Sequence, residues 1–433
     1  MRIFFLLLLL PIITFGQESP FINDNAILSP NLRTVKCHLA GLPISNPIIN
    51  LDGGKLQLTF DDMEGDVVNY TYDVIQCNKD WQQSGLEPME YREGFSKGDI
   101  DEYDFSYNTY TDYTHYRLIF PNSDMSVTKS GNYLLNVYNE DNELVLVRRF
   151  LVVEPKLNVF TSMNLPVNIM KQHTHQEIDF KVTYKDVLIQ SPMLEITATV
   201  LQNGRWDNAI KDISPRYVRG EEMDFDYQDK IVFEGGKEFR YTDIRNFRDR
   251  NASMARLEAL EDGYDIYLFT DANREDLSHF SYQDLNGKYV IQNKRAVSLD
   301  VKNFGNISNY NENNDIVSDY AFVYFSLDAP SEFPDADVYL FGELSDWKIK
   351  DEFKLEYHPD DYVYGGRVIL KQGYYNYLYA VVPHDSKKIS FKETEGNWYE
   401  TENDYTILVY YTPFGARYDR LYAAHNFTSE DAN

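Results

Sequence analysis

The chain has 433 residues, 41 of them basic and 69 acidic, for a formal net charge of −28. A field of that sign repels nucleic acid and anionic lipid headgroups and suits a soluble partner, a protein surface or a neutral glycan. Aromatics make up 15% of the chain, with 35 tyrosines, and tyrosine favours strands and interfaces.

Residues 1–16 read as a secretory signal. Arg2 supplies the positive start, 3–15 is an apolar run, and Thr14 and Gly16 are small residues before Gln17. The run is too short for a spanning helix, and no later stretch approaches that length. The mature chain is therefore expected to be exported and soluble, with no direct membrane span. Its only cysteines are Cys37 and Cys77. Export permits one disulfide between them, and two small buried thiols on neighbouring strands fit equally well.

Residues 23–155 read as an immunoglobulin-like sandwich. Alternating strands are predicted over 51–60 and 67–77, then 114–120, 131–138 and 144–153. Glu154-Pro155 closes the set, because proline ends strand pairing. Residues 157–303 read as a second β-rich domain, with strands at 177–183, 195–202, 230–233, 264–269, 288–291 and 296–299. The Asn-rich stretch 303–315 reads as a linker or exposed loop. Residues 319–427 form the third predicted domain, and 428–433 are expected to be disordered. The fold class that follows is all-β, with three consecutive immunoglobulin-like or early-set β-sandwich domains.

Four clusters carry possible chemistry. Gly94-Phe95-Ser96-Lys97-Gly98 matches a nucleophile-elbow spacing, but polar loop precedes it and no helix pattern follows, so it reads as a glycine-hinged loop. His173, His175 and Glu177 would share one strand face and are the zinc candidates; the surrounding KQHTHQE reads as a polar strand end. Asp61, Asp62, Glu64 and Asp66 crowd one turn and are the calcium candidates; a tight hairpin around Gly65 explains them without metal. Trp81 ends a strand after Asn78-Lys79-Asp80 and reads as a cap on the sandwich core. None of these supports an enzyme, a cofactor or a metal centre.

Residues 337–347 (DVYLFGELSDW) run an alternating strand through Gly342 and a turn onto Trp347, and a Gly-Tyr-Tyr strand follows at 373. The pattern resembles the early-set sandwich domains that bind glycogen and starch. That resemblance implies sugar stacking at Trp347, although Ser345 stands where those domains carry Asn and their sugar-binding Lys has no counterpart.

A second resemblance covers most of the chain. Its strings include Leu58-Thr59-Phe60-Asp61-Asp62, Cys77-Asn78-Lys79-Asp80-Trp81, Tyr113-Thr114-His115-Tyr116-Arg117-Leu118, Gly236-Lys237-Glu238-Phe239-Arg240 and Thr412-Pro413-Phe414-Gly415. These resemble the plug protein family of the type IX secretion system. The resemblance implies a periplasmic protein that docks under an outer-membrane translocon β-barrel and seals it when no cargo is engaged. A reversible contact with such a barrel should be aromatic and polar. The Tyr-rich run 103–116 fits, so Tyr103, Tyr107, Tyr110 and Tyr113 are the candidate partner-binding residues, together with Trp347. The alternative is a periplasmic glycan-binding protein acting through Trp347.

Overall fold

Alternation of apolar and polar residues becomes strand almost throughout the computed structural model, which describes residues 21–185, 187–293 and 313–430. The predicted signal segment, the strand expected at 296–299, the linker over 303–312 and residues 431–433 lie outside the described residues. The expectation of disorder from 428 onward is corrected for its first residues: Thr428 ends a strand, and Ser429 is buried with its amide donating to Asn403 O at 2.9 Å. No helix among the described residues is long and apolar enough to cross a membrane.

The first sandwich packs two sheets. One runs Ala26–Ile27, Leu144–Val153, Gly131–Tyr138, Thr71–Cys77 and Gly98–Asp99, with Ile48–Asn50 parallel to the end of Leu144–Val153. The other runs Leu32–Leu39, Leu56–Asp62, Thr114–Phe120 and Glu102–Phe105. Phe60, Tyr72, Tyr116, Phe120, Tyr133 and Phe150 fill the space between them. Leu56–Asp62 is buried at every position. Strand residues alternate faces, so Leu56, Leu58 and Phe60 enter this core while Gln57, Thr59 and Asp61 point the other way. That outer face is covered by the third body of the fold.

The second sandwich is built from distant segments. Asn158–Asn164, His175–Thr183, Glu222–Asp224, Tyr217–Arg219 and Val232–Glu234 make one sheet. Ile196–Gln202 and Ile210–Ile213 make the other with the last two strands of the chain, Asp404–Tyr411 and Arg420–Thr428. Ile196 pairs with Tyr411 and Gln202 with Tyr405 in one antiparallel register. The expectation that 319–427 is a single domain is thereby corrected. Tyr405, Ile407, Val409 and Tyr411 bury one face in the middle core, while Leu408 and Tyr410 bury the other against the first sandwich.

The third body is one nine-stranded sheet curled around Val323, Phe325, Leu340, Tyr377 and Tyr379. It includes Arg240–Asp243, Met254–Ala259, Tyr264–Leu268 and Tyr289–Ile291, which the sequence reading assigned to the middle domain. The three bodies are therefore interleaved, not consecutive, and 157–303 is not a closed unit.

Apolar seams join the bodies. Cys77, Trp81, Leu134 and Leu151 meet Leu201, Leu408, Tyr410 and Leu421 between the first two. Trp81 and Trp206 pack edge to face at 5.0 Å, with the Arg149 guanidinium 4.4 Å from the Trp81 ring centre. Cys37 and Cys77 are free thiols on strands of opposite sheets rather than neighbouring strands. Burial pushes both thiols up to about 12.

Candidate functional site

The Tyr-rich run folds as the exposed edge strand Glu102–Phe105, a turn, and the inner strand Thr114–Phe120. Its residues divide by depth. Tyr103, Tyr107 and Tyr110 are 41%, 72% and 51% exposed, whereas Tyr113 is 1% exposed. Tyr113 Oη donates to the carbonyls of Asp315 and Ser318 at 2.8 and 2.7 Å, and Lys371 Nζ lies 4.1 Å from its ring centre. The expectation of a partner-binding surface is corrected for Tyr113: its hydroxyl is consumed inside the fold.

The turn itself is clamped onto the third body. The Tyr107 amide donates to Ile316 O at 2.8 Å. The amides of Tyr110 and Thr111 donate to the two carboxylate oxygens of Asp319 at 2.7 and 3.1 Å. Tyr110 also packs edge to face on Tyr264 at 5.2 Å. Tyr107 and Tyr110 are thus held on a turn with fixed main chain, and Tyr103 lies on the paired edge strand just before it. Phe105, 6.0 Å from Tyr103 and exposed, joins them. The sequence reading passed over Phe105, although it alternates with Tyr103 and Tyr107 in the same stretch.

Behind this surface lies a buried polar hub. Asp61 accepts from Lys371 Nζ and Tyr320 Oη, each at 2.5 Å, and its other oxygen lies 2.6 Å from His115 Nδ1. Burial pushes the Asp61 carboxyl up, but Lys371 and His115 outweigh it and hold the group below the usual carboxylate range. Asp62, the next residue, points to the opposite side and accepts from Tyr70 Oη at 2.8 Å. The proposed calcium cluster is therefore split by the strand's own alternation.

The other candidates are also separated. Among the described residues, no three His, Cys, Asp or Glu side chains are placed to hold a metal ion. Glu177 is buried and accepts from the Asp229 amide at 2.7 Å, while His175 Nδ1 lies 2.8 Å from Thr174 Oγ1. Ser96 lies on the loop between the short strands Arg92–Gly94 and Gly98–Asp99, with no helix after it. Trp347 packs edge to face on Phe239 and Phe341 at 5.9 and 5.7 Å, with the Arg205 guanidinium 5.6 Å from its ring centre. Its ring is half-buried in the fold and is not a free stacking platform, which corrects its assignment as a binding residue.

Three comparisons bear on identity. Residues 32–154 match the family described as Type 9 secretion system plug protein 1st domain. A crystal structure of a hypothetical protein from Parabacteroides merdae ATCC 43184 superposes with a TM-score of 0.85. It is 33% identical, over 94% of this chain and 99% of that one. No curated protein matches. Residues 32–154, the first sandwich, therefore belong to the family of type 9 secretion system plug protein first domains.

Proposed function

We propose that this chain is the periplasmic plug of a type IX translocon: it binds the periplasmic end of the outer-membrane barrel and seals the pore when no cargo is engaged. The observation that carries the reading is the match of residues 32–154 to the plug first domain. The architecture supports it. A stopper for a wide pore must resist shear, and here three bodies are joined by apolar seams and buried ion pairs. The contact surface in this reading is the clamped aromatic turn of Tyr103, Phe105, Tyr107 and Tyr110. Exposed rings on a rigid loop bind with little ordering cost. No cofactor and no catalytic step enter the reading.

The test is affinity purification of the tagged protein from detergent-solubilised envelopes. Recovery of a very large outer-membrane barrel without cargo is the expected result. A clean monomer would overturn the reading.

A further inference from the structure

The strand Glu102–Phe105 ends one sheet of the first sandwich, and all four of its residues are exposed. Its outer row of main-chain groups is open. The Ser106 amide donates to Tyr113 O at 2.9 Å, and the pairing continues in register through Asp104 with His115 and Glu102 with Arg117. Antiparallel bonding alternates, so the amides and carbonyls of Tyr103 and Phe105 face away from the sheet. The next amide in that row, Tyr107, is capped by Ile316 O. Among the described residues, none bonds the outward main chain of Tyr103 or Phe105. Edge strands usually carry a guard. Met254–Ala259, an edge of the nine-stranded sheet, has a register shift and an Arg256–Glu258 bridge. Glu102–Phe105 pairs in unbroken register and holds no lysine or proline.

Charge at this edge exceeds what its partners neutralise. Residues 99–112 hold Asp99, Asp101, Glu102, Asp104 and Asp112, and no Lys or Arg. Glu102 is bridged by Arg117 at 2.8 Å, while the other four form no ion pair among the described residues. Behind the strand, Asp61 and Asp315 meet Lys371 and His115. Seven acids thus stand against three bases, even with His115 counted as charged, and the surplus is at least four. Asp319, which caps the turn, and Arg248, beside Tyr264, cancel each other.

We propose that this edge takes one more strand, an extended segment of a partner in which Lys or Arg alternates with aromatic or branched apolar residues. The open amides and carbonyls of Tyr103 and Phe105 supply its main-chain bonds. Tyr103 and Phe105 lie on one face of the strand, with rings 6.0 Å apart, and pair with the apolar residues. Glu102 and Asp104 lie on the other face and pair with the cations. The same acids set like charge against like when a second copy approaches, which excludes edge-to-edge self-pairing. The inference deepens the plug reading and rests on it for the source of the segment, the periplasmic end of the barrel.

The test uses the full chain and a fluorophore-labelled peptide that alternates lysine and valine, read by anisotropy. This peptide should bind, more weakly as salt rises, and one of the same composition with its lysines and valines in two blocks should not. Tyr103→Pro removes the ring and the outward amide but leaves the ladder to Thr114–Phe120 intact, whereas Tyr103→Ser removes the ring alone. Tyr103→Pro should therefore bind at least about fivefold more weakly than Tyr103→Ser. Asp104→Lys should also weaken binding. Equal binding of the two peptides, or by the two Tyr103 variants, overturns the edge. In envelope purification, barrel recovery should be lower for Tyr103→Pro than for Tyr103→Ser, and equal recovery overturns the barrel as the source of the segment. Absence of barrel from the wild-type preparation overturns the plug reading and that source together, while the peptide result still decides the edge. Circular dichroism checks folding, and Phe105→Pro against Phe105→Ser repeats the comparison should Tyr103→Pro unfold.

Discussion

The Asp61 carboxylate and the Lys371 ammonium meet 2.5 Å apart with side chains 0% and 1% exposed, joining the first sandwich to the third body across 310 residues of chain. Tyr320 and His115 complete the carboxylate's partners. Removing one member leaves the other buried and uncompensated. Lys371→Met should destabilise the protein by about 3–5 kcal/mol, measured by urea unfolding. The double variant Asp61→Asn/Lys371→Met should recover part of that loss. An equal loss in single and double variants would show that the pair is not coupled.

Acid should act through the same group. Asp61 is held below the usual carboxylate range, so its stabilisation is present above the unfolded value near 4 and is lost as pH falls through the lower folded value. Asp284 behaves oppositely. Burial, with Glu402 and Glu238 nearby, outweighs the amides of Asn286 and Phe239 and pushes its carboxyl up to about 7. Glu402 is likewise raised to about 7, by burial and then by Asp404. The folded state then holds protons that the unfolded chain has released, so stability should fall as pH rises from about 4 to 7. Thermal midpoints should peak on the acid side of neutrality. Asp284→Asn should flatten the neutral limb, and an unchanged slope would refute the assignment.

Gly287 adopts φ 81°, and a Cβ there would stand 2.2 Å from Trp347 Cη2. Gly287→Ala combines a strained backbone with displacement of a packed ring. It should cost about 2 kcal/mol or more in chemical unfolding. Trp347→Ala should cost about 3–5 kcal/mol through the cavity it leaves against Phe239 and Phe341. A Trp347→Ala protein of wild-type stability would restore the ring as a surface platform.

Tyr107→Ser and Tyr103→Ser remove exposed rings, so unfolding should stay within about 0.5 kcal/mol of wild type. Barrel recovery from solubilised envelopes should fall in the same variants. Tyr113→Phe should behave differently, destabilising through loss of the buried hydroxyl's hydrogen bonds to the Asp315 and Ser318 carbonyls while leaving the surface rings in place.

Local pattern located the strands well wherever one face meets a core. The predicted segments 114–120, 131–138 and 144–153 coincide with strands, since alternation and β-branched or aromatic content are local properties. The family of the first domain was legible too, because its strings are contiguous: Leu58-Thr59-Phe60-Asp61-Asp62 and Cys77-Asn78-Lys79-Asp80-Trp81 need no folding to be seen. Partner choice between strands was not. Asp404–Tyr411 reads the same whether it pairs inside a third domain or, as here, with Ile196–Gln202, because main-chain hydrogen bonds carry no address. The same reason separates the tyrosines. Tyr107 and Tyr113 look equivalent in one aromatic run, and only the approach of Asp315, Ser318 and Lys371 from the far end of the chain buries one and leaves the other in solvent.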